Sequence, residues 1–219
     1  MNTPSTAHLA KLRETLLMMS SLADRNLNLA LKSLVERDSK LAETVEAEDS
    51  QLDQLEVSVD EQVIAHMALH APVATDCRFM LVASKISSNL ERIGDQAVTI
   101  ARRAKDLNGE PLLKPLIDIP RMGDIALNML RDSITSFVDG KPELTSEIIK
   151  RDKVVDEINR QLARELTSYM LEDPTTITRA LNLTLVARSI ERVADHCKNI
   201  SEEVYYLYQA KDIRHSANV

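Results

Sequence analysis

The chain has 219 residues, 44% hydrophobic and 28% charged, which supplies enough apolar side chains for a packed core and enough charge for solubility. A formal charge of -7 excludes the basic footprint of a non-specific nucleic-acid binder, and no apolar run approaches the ~20 residues needed to cross a bilayer. Aromatics at 3%, no tryptophan and only 4 glycines, in a background rich in Leu, Ala, Glu, Lys and Arg, favour helices over an all-β fold.

The opening stretch MNTPSTAHLAKLRETLLMM has no charged segment followed by an uninterrupted apolar core, so no signal peptide is expected. The first helix carries Leu9, Leu12, Leu16, Met19, Ala23, Leu27, Ala30 and Leu34 in alternating steps of three and four, a narrow bundle seam. Asp38 and Ser39 offer an N-cap for a second helix. A third begins near Thr75 and Asp76 and runs through Phe79, Val82, Ile86, Leu90, Ile93, Ala97 and Ile100. Residues 105–120, with three prolines and a glycine, read as a connection. A fourth helix is expected from about 121 to 138, closing at Asp139-Gly140 as a C-cap, and a fifth from about 142 to 171. Asp173-Pro174, a cap followed by proline at the first helical position, opens the sixth. The prolines all fall at such ends and connections, Pro72 among them.

Two halves emerge. Leu90, Glu91, Arg92, Ile93, Gly94 and Asp95 match Ile190, Glu191, Arg192, Val193, Ala194 and Asp195 in order. In the middle helices Asp49, Leu52, Asp53, Val59 and Val63 match Asp152, Val155, Asp156, Leu162 and Leu166. The chain is an internal duplication. The expected fold is all-α: two tandem pseudo-symmetric three-helix bundles over residues 1–107 and 121–219, joined by a linker over 108–120.

The duplicated motif carries an anomaly. The second-helix seam Val45, Asp49, Leu52, Glu56, Val59, Val63 places carboxylates on a line that otherwise faces the core, with Asp53 one turn from Asp49. The fifth helix repeats it with Ile148, Asp152, Val155, Asn159 and Leu162. Glu91/Asp95 and Glu191/Asp195 add an i, i+4 acidic pair on the third and sixth helices. Where two such faces meet, like charges repel, and a proton or a cation must relieve them. Oxygen-only ligation suits Mg, Mn or Fe, with Zn tolerated. A lone acidic pair of this spacing is ordinarily a solvated helix face, and Arg92 and Arg192 offer neutralisation without metal, so both readings stand beside metal binding. A glycine inside a helix costs about 1 kcal/mol relative to alanine, so Gly94 implies a close neighbour beside the acids.

Other candidates carry less. His66 and His70 stand four apart but lack the acidic partner of a zinc-protease motif, and a capping or surface role is expected. His196 follows Asp195 directly and is expected to point off the acidic face as a structural or surface residue. Cys77 and Cys197 have no metal or redox spacing, and Cys197 falls on an apolar seam, as a buried thiol in a reducing, cytoplasmic compartment would. Neither a phosphate loop nor a nucleophile motif is present in the sequence, so the chain is not expected to be an enzyme.

A tandem three-helix repeat bearing ERIGD and ERVADHCKNI resembles the PhoU family of bacterial phosphate-transport accessory proteins, with ASKISSNLERIGDQA, YMLEDPTTITRAL and VARSIERVADHCKNISEEVYY in support. The likeness covers nearly the whole chain, to AKDIRH. The resemblance implies two three-helix bundles in line, commonly as a homodimer. It also implies metal ions or multinuclear iron or zinc clusters on acidic motifs, here Asp49/Asp53, Glu91/Asp95, Asp152/Asp156 and Glu191/Asp195. The role it implies is negative regulation of phosphate uptake and of the phosphate-starvation response, linking an ABC-type phosphate importer through its ATPase subunit to a phosphate-sensing histidine kinase. Such an adaptor would reach the membrane only through its partners and would bind no nucleic acid. Asn199 ends the second motif where Thr99 ends the first, which implies unequal metal sites, the first the weaker. The competing classes are a ferritin-like di-iron oxidase or iron store, which would use a Glu-x-x-His motif absent from this sequence, and a metal-free dimerising bundle.

Overall fold

The computed structural model describes residues 4–70 and 73–214. The expected turn residue Pro72, the side chain of His70 and the extreme ends of the chain, His215 included, lie outside them. The described residues form six long helices: α1 (Pro4–Val35), α2 (Ser39–His70), α3 (Ala74–Asn108), α4 (Asp118–Asp139), α5 (Leu144–Glu172) and α6 (Ile177–Gln209), with a single 3₁₀ turn at Pro174–Thr176.

Local chemistry sets most of the boundaries. Asp38 Oδ1 accepts from the Lys40 amide at 2.9 Å and so caps α2, as its position suggested. Gly140 closes α4 in the left-handed conformation (φ 66), where its lack of a Cβ is what the turn requires. Asp173 Oδ1 accepts from the Thr175 amide at 2.9 Å, with Pro174 opening the turn that leads into α6. α4 begins at Asp118 rather than 121, because Pro120 sits in its first turn, where the missing amide proton has no partner to lose. Ile119 and Met122, both buried, then extend the apolar seam to the helix start.

Helices α1, α2 and α3 form one bundle and α4, α5 and α6 the second. The bundles do not lie in line. α3 and α6 pack along their lengths, and α1 touches α4. The α3–α6 contacts run in opposite order along the two helices: Lys85 Nζ with Glu203 Oε1 at 3.0 Å, Asn89 Oδ1 with His196 Nδ1 at 3.0 Å, and Arg103 Nη1 with Asn182 Oδ1 at 3.3 Å. The seam is therefore antiparallel and centres on Gly94 and Ala194, so each half meets the equivalent part of the other. Arg13 of α1 is held over the rings of Phe79 (5.2 Å) and Phe137 (5.3 Å), a cation–π bracket that ties α1 and α3 to α4. The side-by-side arrangement buries one face of each third helix, a face that in an end-to-end pair would meet water.

Gly94 answers the question its sequence position raised. A Cβ added there would overlap the Leu52 side chain of α2, which is itself buried. In the second half Val155 replaces Leu52 and Ala194 replaces Gly94, a smaller residue opposite a larger one. The two pairs conserve volume across the same kind of helix contact. Gly94→Ala is therefore expected to lower stability to denaturant despite alanine's advantage in helices. The same change in a Leu52→Val background is expected to be neutral or stabilising, with a coupling of about 1–2 kcal/mol in a double-mutant cycle. Strict additivity would show that Leu52 is not the obstacle.

Candidate metal centre

The acidic residues singled out from sequence fall in two places, one per bundle, each at the contact of a middle helix with a third helix. In the first, α2 supplies Asp49, Asp53 and Glu56, and α3 supplies Glu91 and Asp95. Asp49, Glu56 and Glu91 are half-buried, while Asp53 and Asp95 are exposed. In the second, α5 supplies Asp152 and Asp156, and α6 supplies Glu191 and Asp195. Asp152 is the most enclosed of the set at 4% exposure.

Electrostatics separate the halves. In the first, burial followed by the charges of Asp95, Glu56 and Asp53 drives the Glu91 carboxyl up to about 7, against a weaker pull from Arg92. Asp49 is raised by burial and by Asp53 and Asp95, with Arg102 opposing. Among the described residues no side chain hydrogen-bonds or ion-pairs with the carboxylates of Asp49, Asp53, Glu91 or Asp95. The first half thus holds its acids together partly by protonation. In the second half Lys198 Nζ donates to Asp152 Oδ2 at 2.8 Å and to Asp195 Oδ1 at 3.2 Å. Burial pulls the Lys198 ammonium down, but its bonds to Asp152 and Asp195 outweigh that and raise it. Burial pushes Asp152 up and Lys198 opposes it; its Oδ1 is buried without a hydrogen-bond partner. Glu191 is raised by burial, then by Asp195 and Asp156.

Lys198 is the residue that the sequence reading missed. It stands three positions after Asp195, a spacing that places it on the same helix face, and this signal was available. Its counterpart in α3 is Val98, 4% exposed, which carries no charge. An electrostatic difference between the halves therefore lies at Val98 and Lys198. The first half thus lacks the lysine that pairs with two of the four acids, Asp152 and Asp195, in the second. Thr99 donates to the Asp95 carbonyl of its own helix, and Asn199 turns to Asn89 at 3.5 Å across the α3–α6 seam. Arg92 and Arg192, offered by the sequence as neutralisers, make no ion pair among the described residues.

Side chains as placed do not converge into a ligating set: among the described residues no three His, Cys, Asp or Glu side chains stand together closely enough to hold a metal ion. The donor chemistry is nonetheless that of hard cations, and Asp53 and Asp95 are its exposed members in the first half. His66 is 1% exposed, with its ring centroid 5.9 Å from that of His8, and so is not at the surface. His196 is structural, half-buried against Asn89, and its imidazole is held below the ordinary value by burial and by Arg92, with Arg192 adding to the effect. Cys197 is buried, as its seam position indicated, and burial raises its thiol far above the usual range.

A folded-state value for Glu91 above its unfolded 4.5 stabilises the fold below pH 4.5, and that contribution is lost as pH rises through about 7. Chelator-treated protein is thus expected to lose thermal stability between about pH 4.5 and 7. Glu91→Gln is expected to flatten that fall by an amount on the order of 1 kcal/mol after solvent screening. Identical pH profiles for the two proteins would remove Glu91 as the titrating group.

The profile of the PhoU domain matches residues 16–104 and again 119–204, one copy in each bundle. A Pseudomonas putida protein named phosphate-specific transport system accessory protein PhoU homolog is 39% identical over 95% of this chain and 82% of its own length. The homolog of the same name from Aquifex aeolicus (strain VF5) is 40% identical over 94% of each chain. The crystal structure of PhoU from Pseudomonas aeruginosa superposes with a TM-score of 0.91 at 35% identity, covering 94% of this chain and 99% of that one. With both halves matched and relatives aligned over most of their lengths, the chain belongs to the PhoU family.

Proposed function

We propose that this protein is a non-enzymatic cytoplasmic adaptor that restrains phosphate uptake and the phosphate-starvation response. It would do so by linking an ABC-type phosphate importer, through its ATPase subunit, to a phosphate-sensing histidine kinase. The observation that carries the reading is the two-fold PhoU match, with relatives aligned over 82% and 94% of their lengths that are named as accessory proteins of the phosphate-specific transport system. Physical features support it. No helix among the described residues is long and apolar enough to cross a membrane, so membrane contact through partners is in keeping with the sequence. Ile177, Leu181 and Leu185 expose an apolar stripe on α6, spaced four apart, of the kind a partner or a second copy of the chain would cover. Deleting the gene in its host is expected to switch on starvation promoters in phosphate-rich medium. A tagged full-length chain is expected to retain the importer ATPase and the kinase from phosphate-replete cells. Promoters that stay repressed without the gene would overturn the regulatory reading.

Divalent or trivalent metal ions (Fe, Zn, Mn or Mg) belong to the same proposal. A bound cation would supply positive charge where the acids now repel one another and would brace a middle helix to a third helix. In the first half Asp49, Asp53, Glu91 and Asp95 would hold it, and the elevated Glu91 is the observation in favour. In the second, Asp152, Asp156, Glu191 and Asp195 would do so only by displacing Lys198. Protein purified without chelator is expected to carry metal that Glu91→Ala loses. Lys198→Met is expected to lower stability in chelator by up to about 3 kcal/mol, because Asp152 is then buried without its partner. Added Mn or Zn is expected to restore that loss. A Lys198→Met protein whose melting temperature ignores metal would reject the second site.

A further inference from the structure

At the centre of the α3–α6 seam the pseudo-symmetry brings Arg92 and Arg192 to one open groove of about 630 Å³. Neither guanidinium makes an ion pair or hydrogen bond among the described residues, although ion pairs occupy many of the chain's other arginines, such as Arg25, Arg131 and Arg151. His196 and Asn199 also line the groove, and both are fixed from behind by Asn89. Two carboxylates line it as well. Asp195 is already engaged by Lys198 at 3.2 Å, so Asp95 is the one lining carboxylate without a cationic partner, set against two guanidiniums.

We propose that this groove is an anion site for a tetrahedral oxyanion of the phosphate class, gripped by Arg92 and Arg192 with the Asn199 amide as an added donor. A guanidinium presents a planar fork of N–H donors that matches two oxygens of such an anion. Two forks entering from pseudo-symmetric helices would bracket one ligand, and the open groove admits either free orthophosphate or the terminal group of a phosphate monoester. The ligand would join α3 to α6 and hence one bundle to the other, through equivalent residues of the two halves that line one groove. The site requires neither the adaptor role nor a bound metal.

The test is calorimetric titration of chelator-treated, full-length protein at constant ionic strength with orthophosphate and, separately, with a nucleoside monophosphate. Saturable binding of either supports the site, and the tighter of the two identifies the source of the phosphate group. Arg92→Gln and Arg192→Gln are each expected to weaken it by roughly tenfold or more, as expected for loss of a charge-assisted hydrogen bond. Arg164→Gln, an exposed arginine on α5, is expected to leave it unchanged. Should a variant not fold, the side-chain Nε–H resonances of the unmodified protein provide a second readout, with Arg92 and Arg192 expected to shift on adding orthophosphate. No saturable binding of either ligand, or unaltered isotherms in both groove variants, would overturn the assignment.

Discussion

A carboxylate placed where two helices pack must be met by a proton or a positive charge, because its neighbours have displaced the water that would otherwise screen it. This protein sets that condition twice, since its duplicated sequence repeats the acidic pairs on a middle and a third helix. The halves meet it differently. In the second, the ammonium of Lys198 reaches Asp152 and Asp195. In the first, Val98 stands in the lysine's place, and the Glu91 carboxyl rises to about 7 instead. One bundle has a lysine that meets two of its four acids, and the other has none among the described residues.

That asymmetry sits inside a nearly symmetric frame. The antiparallel α3–α6 seam sets the two halves against each other at the level of Gly94 and Ala194. Leu52 opposite Gly94 and Val155 opposite Ala194 are two solutions of the same volume constraint. Both keep a middle helix close to a third helix at the level of the acids. The polar contacts across the seam, from Lys85–Glu203 to Arg103–Asn182, are spread along the helices and make the two bundles one packed body.

Arginine placement follows from the same geometry. Arg92 and Arg192 each follow a glutamate by one residue and therefore project roughly 100° away from it around the helix, which directs them to the seam groove. Arg13, by contrast, is absorbed into packing between Phe79 and Phe137. Sequence proximity to a carboxylate was a poor guide to which cation would neutralise it; helical phase decided.

Sequence by itself determined the helices, the duplication and the acidic faces. The 3.6-residue rhythm, the caps at Asp38, Gly140 and Asp173, and the recurrence of Glu-Arg-x-x-Asp are local properties that survive without knowledge of contacts. Pro120 misled only the start of α4, since a proline ending a linker and one in a first helical turn look alike in one dimension. Only the tertiary structure decided that the bundles lie side by side, that Lys198 bridges two carboxylates, that His66 is buried, and that Arg92 and Arg192 share a groove. The reason is physical: which face of one helix meets which face of another depends on the summed packing of the whole chain, and the charge state of each acid depends on the neighbours that packing supplies.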